Sequence, residues 1–285
     1  MTVNIENYSI SAFFPAYNDA GSIAKIIHMM ARLLPKVTDD YEIVVVDDGS
    51  VDGTGDLLRS LALEYPFLKV IYHGVNRGYG AALITGFANC SKDLIFYTDG
   101  DGQYDVEELL LLLENLGENT DIVNGYKISR SDSKVRIIAG EIYRHLMRFL
   151  FGLHIKDVDC DFRLFRHRLL EHVQLSCDSG VICVEMMKKF QENGCRMVEV
   201  PVHHYQRGCG KSQFFRFRHL RKLFIQLFAA WWKLVVRREL TRPSTPPALQ
   251  SSMRGAGMLQ DRNVKVQNMG ISSHACSSGI AHPRR

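Results

Sequence analysis

The feature that most constrains this chain is a series of short apolar runs that alternate with segments of helical periodicity. The run Ile-Val-Val-Val at 43–46 is apolar without alternation, as expected of a strand that helices cover on both faces. The alternation predicts an α/β fold with a mostly parallel sheet flanked by helices. The other strand patterns lie at 9–14, 69–72, 93–97 and 121–124, and the helical patterns at 23–34, 55–65, 80–90 and 106–116.

Beyond the fifth strand pattern the sequence is irregular until a helical segment at 180–193 and a strand pattern at 196–202. A helical pattern with many basic residues returns at 213–240, and the tail at 241–285 has few large apolar residues. Such a tail cannot bury enough apolar surface to fold, so we expect it to be disordered. We predict three parts, namely a globular domain at 1–212, the amphipathic segment and the disordered tail.

Two carboxylates in one loop are the sharpest local signal. Asp99 and Asp101 follow the strand pattern at 93–97, and Gln103 comes two residues later. Carboxylates this close repel each other, so a cation or a hydrogen-bond donor is expected beside them. Mg²⁺ and Mn²⁺ bind such oxygens, often with substrate phosphates. The loop therefore predicts a divalent metal and a diphosphate ligand, and the alternative is an acidic turn that caps the next helix.

Two further loops follow strand patterns. Asp47 and Asp48 could accept hydrogen bonds from a nucleobase or ribose, or they could serve only a strand-to-helix turn. The glycine loop at 76–82 contains Gly78 and opens a helix, whose N-terminal amides favour a phosphate. Leu83 occupies the third glycine position of the dinucleotide fingerprint, which argues against a nicotinamide cofactor.

The combination of these segments is more specific than any one of them. Pro15-Ala16-Tyr17-Asn18-Asp19 precedes the Asp47 loop, the glycine loop and the Asp99 loop, in that order. At these spacings the chain closely resembles glycosyltransferase family 2, especially its dolichyl- and polyprenyl-phosphate sugar transferase branch. The resemblance covers roughly residues 8–240.

The resemblance implies a GT-A type, Rossmann-like fold in which Asp48 faces the nucleobase. It also implies that Asp99 and Asp101 hold Mg²⁺ or Mn²⁺ and the donor diphosphate, with help from Gln103. Asp19 stands where the branch often has Glu, and it keeps the carboxylate. The donor-binding residues implied are Pro15, Tyr17, Asp19, Asp47, Asp48, Gly78, Asp99, Asp101 and Gln103.

Three later segments bear on the acceptor. Residues 157–166 resemble the branch's D-x-x-x-G-F-R motif, although Asp161 replaces the usual Gly, and 207–212 resemble its R-x-x-G-x-S element. Lys127, Arg130, Asp132 and Arg136 resemble a mobile loop that closes over substrates. Ordinary charged loops are the alternative in each case. The acceptor-binding residues implied are Arg130, Arg136, Arg163, Arg207, Lys211 and Ser212, and the catalytic residues are Asp101, Asp157, Arg163, Arg207 and Lys211.

The charge distribution along the chain is asymmetric. Residues 1–206 carry 20 basic and 29 acidic residues, whereas 207–238 carry nine basic residues and no acidic one. Within the segment at 213–240, basic residues flank an apolar stretch with Phe and Trp, which is typical of a helix lying on an anionic membrane surface. A helix packed on the core is the alternative. Nucleic-acid binding is disfavoured, because the main body is acidic.

These features predict an inverting glycosyltransferase. It would move a hexose from a nucleotide-diphosphate sugar, of the GDP-mannose or UDP-glucose type, to a polyprenyl or dolichyl phosphate. One alternative is a sugar or glycolipid hydroxyl acceptor, which would need a base such as Asp157. Another is a non-catalytic scaffold that binds nucleotide sugars at membranes.

The expected location is cytoplasmic and peripheral, at the cytosolic face of a membrane. The first residues do not resemble a signal peptide, and the seven cysteines form no CxxC pair. The uncharged stretch at 223–232 is ten residues long, whereas a membrane span needs about twenty apolar residues. A separate membrane-anchoring subunit is therefore a possible partner.

Overall fold

The structure is a computed structural model of the 285-residue chain, and it describes residues 8–130, 134–206 and 225–239. These residues all lie within one compact unit, Met1–Arg242. The predicted tail at 241–285 and most of the predicted segment at 213–240 lie outside the described residues. The predicted boundary at residue 212 stays a prediction.

Seven strands form one sheet in the order β3-β2-β1-β4-β6-β5-β7. Strands β1 to β4 are parallel to one another, and β5 is parallel to β7, but β6 runs antiparallel to both β4 and β5. The mostly parallel α/β sheet predicted from the sequence is confirmed. The strands are β1 Ile10–Ala16, β2 Tyr41–Asp47, β3 Leu68–Tyr72, β4 Leu94–Thr98, β5 Ile122–Arg130, β6 Phe162–Arg166 and β7 Met197–His204.

Helices cover both faces of the sheet. A 3₁₀ turn at Val106–Glu108 leads into α4, and a π-helical turn at Trp232–Val236 follows α7. The helices are α1 Ile23–Leu33, α2 Thr54–Glu64, α3 Tyr79–Asn89, α4 Leu109–Glu114, α5 Lys134–Phe151, α6 Val181–Glu192 and α7 at 225–231.

The alternation of side chains along β1 divides the core into two layers. Ala12 and Phe14 pack with α1, α2 and α4 on one face of the sheet. Phe13 packs on the other face with α3, α5, α6 and α7. Neighbouring strand residues point to opposite faces, so an uninterrupted apolar run such as Val44–Val46 supplies both layers, as the sequence predicted.

Two elements differ from the sequence expectation. The region beyond residue 125 was expected to be irregular, but it contains the long helix α5 and the antiparallel strand β6. Lys127 and Arg130 lie in β5 and Arg136 lies in α5, so the loop predicted for them is corrected, while Asp132 lies outside the described residues. Strand β6 was missed because its five residues include two arginines, of which Arg163 is fully buried.

Candidate active site

The candidate site lies at the carboxyl edge of the parallel strands, where three loops meet. Ala16 at the end of β1 is in register with Asp47 at the end of β2, and Phe13 of β1 is in register with Tyr97 of β4. The loops that follow β1, β2 and β4 are therefore neighbours. In open α/β sheets this edge, at the point where the strand order reverses, is the usual ligand site.

The loops after β1 and β2 are joined by hydrogen bonds. The Asn18 amide donates to Ser50 Oγ at 2.9 Å, and the Val51 amide donates to Asn18 Oδ1 at 2.8 Å. Asn18 adopts a left-handed conformation with φ of 57°, which Asn tolerates better than most residues. The Asp19 carboxylate accepts from the Tyr17 amide at 3.0 Å. The predicted donor residues Tyr17 and Asp19 are thus held in a loop that is hydrogen-bonded to the residues after β2, and Pro15 lies in β1 just before that loop.

Asp48 is buried and has several partners within the protein. Its carboxylate accepts from His73 Nδ1 at 2.6 Å and from the amides of Arg77 and Gly78, both at 2.9 Å. These bonds fix the glycine loop to the end of β2. The nucleobase contact predicted for Asp48 stays a prediction, but these bonds give the residue a second role. Asp47 is also buried and accepts from the Ser50 amide at 3.0 Å.

The glycine loop packs closely against two other segments of the chain. The amide of Gly78 donates to Asp48, and the amide of Gly80 donates to the carbonyl of Asp178 at 3.0 Å. A Cβ at Gly80 would lie 2.1 Å from the Cys177 carbonyl, and Gly78 has φ of 101°. The glycines therefore allow a close backbone approach, and the amides of Gly78 and Gly80 have partners inside the protein. The phosphate-binding role predicted for the glycine loop stays a prediction.

The Asp99 loop gathers negative charge. Asp99 accepts a hydrogen bond from the Tyr79 hydroxyl at 2.8 Å. Burial raises the pKa of Asp99 well above its usual range, and the nearby carboxylates of Asp161 and Asp101 raise it further. The alternative interpretation of this loop as a helix cap is wrong, because Asp105 is the residue that accepts from the first turn, at 3.0 Å from the Glu107 amide.

This carboxylate pair fits a divalent cation, because a cation would offset the charge that raises the pKa of Asp99. Within residues 8–130, 134–206 and 225–239, no group of three His, Cys, Asp or Glu side chains is arranged to hold a metal. Such a site suits an ion that binds through one or two carboxylates and completes its shell with waters and substrate phosphates.

Gln103 joins the Asp99 loop to the end of β7. Its side-chain amide donates to the Tyr205 carbonyl at 2.9 Å, and its own carbonyl accepts from the Tyr205 amide at 2.8 Å. The metal-binding role predicted for Gln103 stays a prediction. Tyr205 precedes the predicted acceptor element by two residues. Arg207, Lys211 and Ser212 lie outside the described residues.

Arg163 contradicts its predicted role. It lies in β6 between β4 and β5, and its side chain is fully buried. Its guanidinium donates to Asn124 Oδ1 at 2.7 Å, to Asp161 at 3.0 Å, to the Val158 carbonyl at 2.5 Å and to the Tyr97 hydroxyl. A guanidinium engaged on all sides within the sheet cannot reach an acceptor phosphate, so Arg163 is corrected from a catalytic and acceptor-binding residue to a positioning one.

Asp161 is a functional candidate that the sequence interpretation did not assign to the site. It accepts from Arg163, from the Tyr97 hydroxyl at 3.2 Å and from Cys183 Sγ at 3.1 Å. Its charge also raises the pKa of Asp99, after the larger effect of burial. The sequence did mark this position, because Asp161 replaces the usual glycine of the motif. Its proximity to Asp99 became clear only from the structure, in which Asp161 directly precedes β6.

A second acidic group lies beside the first. Asp157 is buried, and its carboxylate accepts from the Asp159 amide at 3.2 Å. Lys127 donates to the Asp159 carbonyl at 2.7 Å. Burial raises the pKa of Asp159 to about 7, against the opposing charge of Lys127. Lys127, which the sequence interpretation placed in a mobile loop, is therefore a fixed cation at this acidic group.

Arg130 and Arg136 complete the predicted acceptor set. The backbone of Arg130 ends β5, in register with His204 of β7, and Arg136 lies in the first turn of α5. Arg130 is the last residue of β5, which ends at the carboxyl edge of the sheet, and Arg136 follows it by six residues. Their side chains are outside the described part of the structure, so their contact with an acceptor stays a prediction.

The sheet order, the loops joined at its carboxyl edge and the carboxylate pair after β4 define a GT-A type glycosyltransferase. The chain belongs to the family described as Glycosyl transferase family 2, whose profile matches residues 11–174. It is 27% identical to an undecaprenyl-phosphate 4-deoxy-4-formamido-L-arabinose transferase of Pseudomonas fluorescens, over 76% of this chain and 63% of the relative. It is 30% identical to the transferase of the same name from Serratia proteamaculans, over 72% of this chain and 62% of the relative. The chain thus spans less than two thirds of the length of these curated relatives.

Solved structures share the fold at low identity. One is glucosyl-3-phosphoglycerate synthase from Mycobacterium tuberculosis in complex with Mn²⁺, uridine diphosphate and phosphoglyceric acid. It has a TM-score of 0.58 and 20% identity, over 80% of this chain and 78% of that one. Mannosyl-3-phosphoglycerate synthase from Rubrobacter xylanophilus has a TM-score of 0.60 and 17% identity, over 85% of this chain and 80% of that one. These likenesses confirm the predicted GT-A type fold.

Proposed function

We propose that this protein transfers a hexose, with inversion, from a nucleotide-diphosphate sugar to a polyprenyl or dolichyl phosphate at the cytosolic face of a membrane. The observation that carries the proposal is the carboxylate group of Asp99, Asp101 and Asp161, placed beside the fastened loops at the carboxyl edge of the sheet. The curated relatives, which are named as undecaprenyl-phosphate sugar transferases, support the acceptor class.

The donor half of the proposal places the nucleotide in the loops after β1 and β2 and its diphosphate at the Asp99 loop. Asp99 and Asp101, with Gln103, would hold Mg²⁺ or Mn²⁺, whose charge would offset that of the departing diphosphate. The solved neighbour with Mn²⁺ and uridine diphosphate supports this assignment by analogy of fold. Tyr79 orients Asp99 through its hydrogen bond.

The acceptor half follows from phosphate chemistry. A phosphate monoester has a second pKa of about 6, so a lipid phosphate is mostly a dianion at neutral pH and needs no strong base. It needs orientation and cations that offset its repulsion from the donor. Lys127 lies beside Asp159 and would supply one of these cations. Arg207, Lys211 and Ser212 would supply the remaining contacts. Asp157 would orient these cations or the sugar.

A hydroxyl acceptor is the second candidate, and Asp159 is the observation that favours it. A carboxyl group whose pKa is about 7 can accept a proton from a sugar hydroxyl near neutral pH. The two candidates differ in pH dependence, because transfer to a hydroxyl should need deprotonated Asp159. Transfer to a lipid phosphate should continue below pH 7, until the phosphate itself becomes protonated.

Membrane attachment is part of the proposal. Among the described residues, no helix has both the length and the apolar character that crossing a bilayer requires. We propose peripheral attachment through the basic segment at 213–240, with a separate anchoring subunit as a possible partner.

The experiment that tests the function is transfer of radiolabelled sugar from GDP-mannose and, separately, from UDP-glucose to a short polyprenyl phosphate. Each donor is assayed with Mg²⁺, with Mn²⁺ and with EDTA. Metal-dependent formation of a lipid-extractable product supports the proposal and identifies the donor. Slow release of free nucleotide without lipid product would overturn the acceptor assignment and favour a hydroxyl acceptor.

A matched pair of variants tests the site in the same assay. Asp101→Ala should lower transfer by a factor of about 10² or more, because it removes a group that stabilises the charge of the leaving diphosphate. Asp56→Ala, an exposed carboxylate on α2, should leave transfer unchanged. If Asp101→Ala keeps full activity, the metal assignment fails, and if the wild type turns over no sugar, the scaffold alternative is favoured.

A further inference from the structure

Asp161 and Asp99 occupy corresponding positions at the end of the antiparallel pair formed by β4 and β6. Thr98 of β4 is in register with Phe162 of β6, and this is the last pair of the ladder. Asp99 follows Thr98 and Asp161 precedes Phe162, so the two aspartates are the next position of the same register. Residues opposite each other in such a pair point to one face, with Cβ atoms about 5 Å apart. Asp161 therefore lies beside the loop proposed to hold the donor diphosphate.

One oxygen of the Asp161 carboxylate is fixed by three donors. Its Oδ1 accepts from Arg163 Nη1 at 3.0 Å, from Cys183 Sγ at 3.1 Å and from the Tyr97 hydroxyl at 3.2 Å. Arg163 and Tyr97 are fully buried, and Cys183 is nearly so. Because these donors come from β6, β4 and α6, the carboxylate cannot rotate without breaking contacts to three elements of the core.

The other oxygen of Asp161 is available to a ligand. Among the described residues, none donates a hydrogen bond to Oδ2. The side chain is 14% exposed, so this oxygen is neither freely solvated nor paired within the protein. Polar atoms in such surroundings normally have a hydrogen-bond partner. A fixed oxygen of this kind is a preformed acceptor for a ligand that donates a hydrogen bond.

The chemistry of Asp161 favours a hydroxyl over a phosphate or a cation. A phosphate oxygen is itself an acceptor, so it cannot donate to Oδ2. The Arg163 guanidinium offsets the charge of Asp161, so this carboxylate should attract a cation less strongly than Asp99 and Asp101 do. An O–H group still finds an acceptor at Oδ2, because the guanidinium bonds to the opposite oxygen.

The strand order places Asp161 at the sugar end of the proposed donor. The proposed function puts the nucleotide in the loops after β1 and β2 and its diphosphate after β4. In the sheet, β6 is the next strand beyond β4, on the side away from β1 and β2. A nucleotide-diphosphate sugar carries its sugar on the far side of the diphosphate from the nucleoside. The part of the donor that reaches Asp161 is therefore the sugar, whose hydroxyls supply O–H donors.

We propose that Asp161 is a specificity-determining residue, whose Oδ2 accepts a hydrogen bond from one hydroxyl of the transferred hexose. The glycine that usually stands at this position in the resembled branch has no side chain to make this contact. The inference rests on the donor half of the proposed function, because the diphosphate must bind at Asp99 and Asp101. It does not depend on the acceptor.

The test is isothermal titration calorimetry of the full chain with Mn²⁺, comparing UDP with UDP-glucose and GDP with GDP-mannose. Asp161→Asn keeps an acceptor at Oδ1 and replaces Oδ2 by an amide that donates. This variant should bind the sugar nucleotide about tenfold or more weakly, the usual effect of losing a hydrogen bond to a charged group. It should bind the bare nucleotide at least as tightly as the wild type does, because a negative charge near the diphosphate is removed.

Asp121→Asn is the matched control. Asp121 is also paired with an arginine, Arg168, at 2.8 Å, and its side chain is 18% exposed. Its carbonyl accepts from the Arg166 amide, which places it at the opposite end of β6 from Asp161. This variant should bind the bare nucleotide and the sugar nucleotide like the wild type.

Deoxy analogues identify the hydroxyl without relying on a variant. Among the 3-, 4- and 6-deoxy analogues of the bound sugar nucleotide, one should bind the wild type about tenfold more weakly than the parent does. The same analogue should bind Asp161→Asn no more weakly than the parent does. If every analogue binds the wild type like the parent, the inference is overturned.

Two further outcomes would overturn the assignment of Asp161. One is equal affinity of Asp161→Asn and the wild type for the sugar nucleotide. The other is an equal loss of affinity for bare and sugar nucleotides, which would make Asp161 a metal or diphosphate ligand. If the wild type binds no nucleotide, the donor half of the proposed function fails together with this inference. If it binds nucleotide sugars but transfers nothing to a lipid phosphate, the acceptor half fails alone, and the calorimetry still decides the role of Asp161.

Discussion

The guanidinium of Arg163 connects three strands of the sheet, because its partners come from β4, β5 and the segment before β6. Its ion-pair partner is Asp161, at 3.0 Å. Removing one partner of a buried pair leaves the other charge uncompensated. Arg163 is therefore expected to stabilise the fold and to position Asp161.

We expect Arg163→Met to lower the free energy of unfolding by about 3–5 kcal/mol, because it leaves Asp161 without its cation in a buried site. Urea denaturation followed by circular dichroism measures this change. Arg168→Met, which removes a largely exposed arginine paired with Asp121, should cost less than about 1 kcal/mol. In the double variant Arg163→Met with Asp161→Asn, we expect part of the lost stability to return, and strict additivity would contradict the pairing.

Asp99 is expected to reduce stability in exchange for activity. Its pKa in the folded protein is raised, mainly by burial, so the unfolded state releases this proton more readily. Stability should therefore fall as the pH rises from the unfolded pKa, about 4, toward the folded value. Folding then requires either proton uptake or a compensating cation at this carboxyl group.

We predict that Asp99→Asn raises the free energy of unfolding at neutral pH by about 1 kcal/mol and removes this pH dependence. The same variant should abolish transfer. In thermal denaturation, Mn²⁺ should raise the melting temperature of the wild type and leave that of Asp99→Asn unchanged. A less stable Asp99→Asn protein would show that the carboxylate is compensated within the chain.

At the scale of elements, helix α3 is positioned by a close backbone contact at Gly80. The segment at 177–179 contacts the first turn of α3, and Tyr79 in that turn contacts Asp99. A displacement of this turn should therefore change both packing and the site. The contact is specific to glycine, because any Cβ at position 80 would meet a backbone carbonyl at 2.1 Å.

We predict that Gly80→Ala destabilises the protein by about 1–3 kcal/mol, the usual cost of adding an atom to a filled site. It should also lower kcat, because the Tyr79 hydroxyl moves away from Asp99. Urea denaturation and the transfer assay report the two effects separately. Ala88→Ser, on the exposed face of the same helix, is the control and should change neither. A fully active and stable Gly80→Ala protein would contradict the close approach.

The elements also show how far the sequence predicts the fold. Short apolar runs predicted β1 to β5, and helical periodicity predicted α1 to α4, because regular burial along a strand or a helix produces each of these patterns. Strand β6 gave no such signal, because two of its five residues are arginines. Only the neighbouring strands, which supply Tyr97 and Asn124, make a buried Arg163 favourable.

The site was predictable in part for a similar reason. Asp99 and Asp101 are close in sequence and follow a clear strand, so their proximity could be inferred. Asp161 is about sixty residues further along the chain, and its approach to Asp99 depends on an antiparallel strand. The packing of the glycine loop was not predictable, because the partner of the Gly80 amide is the carbonyl of Asp178, which is distant in sequence.

At the scale of the whole molecule, ligand binding should stabilise the fold by mass action. A nucleoside diphosphate at a hundred times its Kd adds about 2.7 kcal/mol to the free energy of unfolding. The increase should require Mg²⁺ or Mn²⁺, because the diphosphate and the carboxylates repel each other without a cation.

Thermal denaturation with GDP and with UDP, each with and without Mn²⁺, measures this effect. We expect one nucleotide to raise the melting temperature by several degrees with the metal and by much less without it. Asp101→Ala should lose the metal-dependent part. Equal stabilisation with and without metal would contradict the placement of the diphosphate at Asp99 and Asp101.

Strand β6 is antiparallel to its neighbours, and the segment before it carries Asp161 to the site separately from the nucleotide loops. The loops after β1, β2 and β4 belong to the parallel half of the sheet, whereas Asp161 arrives on a strand that runs the other way. A substitution at position 161 can therefore change the charge beside Asp99 and leave the nucleotide loops intact. Related enzymes can therefore change the charge at the diphosphate site while keeping the nucleotide loops, because separate stretches of chain encode the two.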